Sequence, residues 1–101
     1  MAHEITPEGA GRSRVRLLGD IDFDTSPAMR KAILNELGRR RAVTIDLSAV
    51  GYIDSSVVAS LVEAYQKARQ AGLGFVLTGV GERVRRVLEL SRLDQVLPID
   101  D

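Results

Sequence analysis

Val43-Thr44-Ile45-Asp46-Leu47, followed by the loop Ser48 to Asp54 and then Ser55-Ser56-Val57-Val58-Ala59-Ser60-Leu61, decides the fold of this 101-residue chain. The first stretch is short, β-branched and mostly apolar, the pattern of a strand buried on both faces at the centre of a sheet. The second opens a helix that starts at Ser55 or Ser56 and runs to Ala71 before Gly72. Its inward stripe is Val58, Leu61, Val62, Tyr65 and Ala68, recurring at three- and four-residue intervals. A strand feeding a helix through a short loop is half of a crossover unit. Gly74-Phe75-Val76-Leu77-Thr78 supplies the parallel strand that completes it.

Upstream, His3 to Thr6 predicts a short first strand, and Pro7 to Arg12 a turn. Ser13 to Leu18 predicts a second strand, with Val15 and Leu17 alternating against Arg14 and Arg16, which face solvent or an edge. Gly19 to Thr25 is a loop. Ser26 reads as an N-cap with Pro27 in the first helical position. Met29, Ala32, Ile33 and Leu37 form the stripe of the helix that follows, with Arg30, Lys31, Asn35 and Glu36 off it, and Gly38 closes it. Downstream, Val84, Val87, Leu88 and Leu90 predict a third helix after Gly81, and Val96 to Ile99 a short edge extension that tolerates Pro98. The expected fold class is therefore α/β. It is a single domain over residues 1–101, a mixed and mainly parallel sheet of four to five strands with helices packed mainly on one face.

Composition excludes several chemistries. The chain has no cysteine and one histidine, His3 near a terminus, so thiolate catalysis, a Ser-His-Asp triad and a zinc site lack their ligands. Fourteen basic and fourteen acidic residues give zero formal charge, and aromatics are only 4%, which argues against nucleic-acid binding. No segment is apolar enough to span a bilayer, and the N-terminus has no basic region leading into an apolar stretch, so a cytoplasmic location is expected. Gly79-Val80-Gly81-Glu82-Arg83 lacks the Lys-Ser/Thr ending of a phosphate loop and reads as a turn before a helix. Arg39-Arg40-Arg41 follows a helix C-terminus, where cations are favourable, and Arg83, Arg85 and Arg86 decorate a helix face. Asp20, Asp22 and Asp24 alternate as calcium ligands do, but without the Gly and terminal Glu of an EF-hand. No metal and no cofactor are expected.

The remaining candidate is the loop that enters the second long helix. In open α/β sheets function gathers at the carboxyl ends of strands. Asp54-Ser55-Ser56 before an apolar helix is by itself a common capping sequence. A hydroxyl here can also serve as a modification site. Phosphate at a helix N-terminus meets the positive end of the dipole and free N–H groups, so the scaffold tolerates it while the surface gains about −1.5 to −2 charges.

The ordered set Gly19-Asp20-Ile21-Asp22, Val43 to Ser48, Tyr52-Ile53-Asp54-Ser55-Ser56, Ala71 to Leu77 and Val84 to Asp94 resembles the STAS domain family, anti-sigma factor antagonist type, over nearly the whole chain. The resemblance implies a non-enzymatic binding module in a partner switch that regulates transcription. An anti-sigma factor serine kinase would phosphorylate Ser55, and a serine phosphatase would reset it. Asp54 matches the acidic residue beside the site, Asp22 matches an acidic residue in the loop after the second strand that contributes to kinase contact, and Asp22, Asp54, Ser55, Ser56 and Val57 are the expected partner-binding residues. Val57 departs from the family, which has Gly after the serine pair. A β-branched residue stiffens this turn and adds bulk beside Ser55. The chain is expected to be a monomer that touches neither nucleic acid nor membrane. The alternative within the same fold is a constitutive STAS subunit of another complex, such as a lipid-transport ATPase or a stress-signalling assembly, without phosphorylation control. A nucleotide-hydrolysing enzyme lacks both a phosphate loop and acid/base pairs.

Overall fold

A computed structural model describes residues 2–100. The chain opens as an antiparallel hairpin of β1 (Ala2–Pro7) and β2 (Arg12–Leu18), turned through Gly9 and Gly11 at positive φ. It continues through α1 (Ser26–Gly38), β3 (Ala42–Ala49), α2 (Ser55–Ala71), β4 (Phe75–Thr78), α3 (Glu82–Leu90) and β5 (Ile99–Asp100). The sheet order is β1-β2-β3-β4-β5, and every pair after the hairpin is parallel. Each crossover steps one strand further in the same direction. Right-handed crossovers therefore place the helices on one face. The expected mixed, mainly parallel sheet is present with five strands.

Alternation decides what meets the helices. Val15 and Leu17 of β2, Val43, Ile45 and Leu47 of β3, and Leu77 of β4 are fully buried, with Phe75 nearly so. Against them pack Met29, Ile33 and Leu37 of α1, Val57, Val58, Leu61, Ala64 and Ala68 of α2, and Val84 and Leu88 of α3. Each fully buried aliphatic side chain contributes about 1.5–3 kcal/mol. Gly72, in the left-handed conformation at φ 69, ends α2 and returns the chain to the sheet.

The opposite sheet face has no helix over it, yet Thr44 and Asp46 on β3 are only 4% and 6% exposed. Arg14 covers them. Its Nε and Nη2 donate to Asp46 Oδ2 at 3.2 and 3.0 Å, and its Nη1 donates to Glu8 Oε2 at 2.6 Å. Thr44 Oγ1 donates to Glu8 Oε1 at 2.6 Å and accepts from Arg12 Nη1 at 3.1 Å. Arg14 thus lies on the open face, as its alternation suggested, with 38% of its side chain exposed, and it also ties β2 to β3 and to Glu8.

Four expectations are corrected. The N-cap of α1 is Thr25, with Ser26 inside the helix and buried. Glu36 is buried, because Ser13 Oγ donates to it at 2.6 Å and Arg39 lies 3.5 Å away. Leu90, assigned to the apolar stripe of α3, is 81% exposed at the helix end, where nothing covers it among the described residues. The last strand is only Ile99–Asp100, because Val96 and Leu97 form a turn bonded back to Leu93.

Candidate functional site: the loops around Ser55

The carboxyl ends of β2 and β3 lead into two loops that are zipped together. Ile21 and Ile53 form a parallel bridge, both essentially buried, and the Ile21 N–H donates to the Tyr52 carbonyl at 3.0 Å. That contact brings the segment Asp20–Thr25 against the start of α2. Asp22 organises the first loop: its carboxylate accepts from the N–H groups of Asp24 at 2.9 Å and Thr25 at 3.2 Å. Its carbonyl accepts from the Ser26 N–H at 2.7 Å, which sets the entry of α1.

Asp54 is the N-cap of α2, in extended conformation. Its Oδ1 accepts from the N–H of Ser56 at 3.0 Å and of Val57 at 3.2 Å. The Ser56 hydroxyl donates to the same oxygen at 2.5 Å. These bonds, led by the Ser56 hydroxyl and joined by the Phe23 N–H from the facing loop, hold the carboxyl below its ordinary value. Asp54 is accordingly ionised at neutral pH. Asp54 thus occupies two of the N–H groups at the helix start, those of Ser56 and Val57.

The two serines are not equivalent. Ser56 is half-buried, and its hydroxyl lies 3.0 Å from that of Ser26 on α1 as well as on Asp54. Ser55, the first residue of the helix, is exposed, and its side chain has no hydrogen-bond partner among the described residues. Val57 is 0% exposed and packs into the core. The expectation that it contacts a partner, and adds bulk to the surface beside Ser55, is therefore corrected: two residues along the helix turn its side chain about 200° from that of Ser55, toward the sheet.

Asp22, Asp54, Ser55 and Ser56 are thus gathered at one end of the sheet, and Val57 lies beneath them. Sequence reasoning missed three residues there. Ser26 was read as a cap and is instead the partner of Ser56. Phe23 and Tyr52, 70% and 49% exposed, flank the site. Their signal was the placement of two aromatics in polar loops of a chain poor in them. A groove of about 550 Å³ between β1 and α1 is lined by Ile5, Ala28, Lys31 and Arg39 and includes none of these residues. Among the described residues no group of acidic or histidine side chains is placed to hold a metal ion, and no helix is long and apolar enough to cross a membrane.

The fold is a one-sided α/β sheet that presents a capped helix start with an exposed, unengaged serine. The family model described as "Mlab, STAS domain" matches residues 6–98, and the chain belongs to the STAS domain family, of the anti-sigma factor antagonist type. Such antagonists are non-catalytic regulatory proteins. The chain is 28% identical over 97 residues to an anti-sigma-B factor antagonist of Listeria monocytogenes, covering 95% of this chain and 85% of that one. It is 29% identical over 89 residues to an anti-sigma F factor antagonist of Paenibacillus polymyxa, covering 86% and 76%. A crystal structure of an anti-sigma factor antagonist from Mycobacterium paratuberculosis superposes with a TM-score of 0.83 at 31% identity, over 97% of this chain and 83% of that one.

Proposed function

We propose that this chain is a cytoplasmic, monomeric anti-sigma factor antagonist whose binding to an anti-sigma factor serine kinase is switched off by phosphorylation of Ser55 and restored by a serine phosphatase. The observation that carries the reading is the division between the two serines. Ser56 is tied to Asp54 and Ser26, whereas Ser55 stands exposed with an unengaged hydroxyl. A kinase that covers this corner reaches one acceptor only. The relatives' names supply the class of partner.

The energetics suit a switch without refolding. The amides that would welcome a phosphate are held by Asp54, and that carboxylate is itself ionised. The added charge therefore stays at the surface, where a docked partner buries it without compensation. An uncompensated buried charge costs about 3–5 kcal/mol, which weakens binding on the order of a hundred- to several-thousand-fold.

The test is phosphopeptide mapping together with titration against the anti-sigma factor. Ser55→Ala binds as the wild type and takes no phosphate, and Ser55→Asp binds at least about a hundredfold more weakly. Equal affinities of the two variants would overturn the switch. With Ser55 also unmodified in cells, they would leave the constitutive STAS subunit as the reading.

A further inference from the structure

We infer that Phe23 and Tyr52 are the apolar anchors by which the chain docks on a basic surface of the kinase that modifies Ser55. The inference rests on the phosphorylation reading above and adds the residues that supply affinity. The chain has two phenylalanines, two tyrosines and no tryptophan. Tyr65 and Phe75 pack against each other, ring centroids 5.8 Å apart. The other two rings are 70% and 49% exposed, and both lie in the loops around Ser55. Single exposed apolar side chains are ordinary on protein surfaces. Half of a small aromatic complement gathered beside the exposed Ser55 hydroxyl is a pattern of another kind, because buried aromatics dominate interface energetics.

The two loops are fixed through their backbones. The Tyr52 carbonyl accepts from the Ile21 N–H at 3.0 Å, and the Asp22 carboxylate, next to Phe23, accepts from the N–H groups of Asp24 and Thr25 at 2.9 and 3.2 Å. Little loop freedom remains to be lost when a partner covers the rings. The charge around them identifies the occupant. Asp20, Asp22, Asp24 and Asp54 lie in the same two loops, and neither residues 17–29 nor residues 42–66 contain a lysine or arginine. The complementary surface is cationic, which a kinase provides where it holds the phosphates of ATP. Arginine also stacks on aromatic faces, so one kind of side chain satisfies rings and carboxylates together.

The experiment uses the purified kinase that transfers phosphate from ATP to Ser55, with the full chain as substrate. Phe23→Ala and Tyr52→Ala each raise KM by about tenfold or more and leave kcat within about twofold, since the rings act in binding and not in the transfer step. Phe23→Tyr and Tyr52→Phe, which keep a ring, restore the wild-type KM. Leu90→Ala, an exposed apolar truncation at the far end of the molecule, leaves KM unchanged. Raising salt slows association of the wild type, as expected for a cationic partner. If both alanine variants are phosphorylated with the wild-type KM while Ser55→Asp still fails to bind, the anchors are overturned and the switch stands. If no kinase phosphorylates the wild type, the reading of Ser55 falls, and the anchors with it.

Discussion

Ser55 and Ser56 differ by one position in sequence and by their whole chemical situation in the fold. Ser56 Oγ bridges the α2 cap and the start of α1 through Asp54 at 2.5 Å and Ser26 at 3.0 Å. Ser56→Ala removes both bonds and leaves the buried Ser26 hydroxyl without a partner, at a cost of about 1–2 kcal/mol. Urea unfolding measures that loss, while phosphate incorporation at Ser55 stays at the wild-type level. Loss of phosphorylation with unchanged stability would reverse the two serines' roles. The pair itself was legible in the sequence as a capping motif in a family-like order. The choice between its members was not legible from residue chemistry, because it depends on Ser26, thirty positions away. The same holds for Phe23 and Tyr52, whose convergence is produced by the Ile21–Ile53 bridge.

At the scale of elements, the first turn of α2 carries two functions on opposite sides. Ser55 faces solvent, while Val57 is sealed in the core beside Val58 and Leu61. Val57→Gly therefore opens a cavity and adds the helix penalty of glycine, together about 2–4 kcal/mol. A lowered thermal midpoint with unchanged affinity for the anti-sigma factor is the expected pair of results. Unchanged stability would mean that the valine is not a packing residue. β3 and α2 were readable because their signals are local: a β-branched run, then a three-four periodicity closed by glycine. The α1 cap was read one residue late because Thr25 and Ser26 are both good capping types, and the Asp22 turn chooses between them. Glu36 and Leu90 were misplaced because periodicity assigns a face without saying what packs on it. Ser13 and Arg41 give Glu36 a buried partner, and the chain after α3 leaves Leu90 uncovered.

At the scale of the whole molecule, a five-stranded sheet with helices on one face must protect its other face by different means. Here arginines from β2 lie over β3. This network joins residues more than thirty positions apart, which is why alternation in β2 placed the arginines toward solvent or an edge without showing their partners. Its acid dependence follows from the carboxyls. Burial pushes Asp46 up, but the bonds from Ser48 and the Arg14 guanidinium outweigh it and hold the group below its ordinary value. Glu8 is also held low, first by the Thr44 hydroxyl and then by Arg14. Unfolded carboxyls titrate near about 4. A carboxyl depressed in the fold contributes its full stability above that pH, and the contribution is lost as pH falls through the lower folded value. Glu8 is more open to water, with 32% of its side chain exposed against 8% for Asp46, so most of the effect belongs to Asp46. Asp46→Asn keeps the shape and removes the charge. It is expected to cost about 1–3 kcal/mol at pH 7, and the gap to the wild type is expected to close as pH falls through the depressed value of the folded carboxyl. Urea unfolding of both proteins at several pH values measures it. A gap of constant size from neutral to acid pH would assign the loss to packing, and the sheet's open face would then be held by fit and not by its ion pairs.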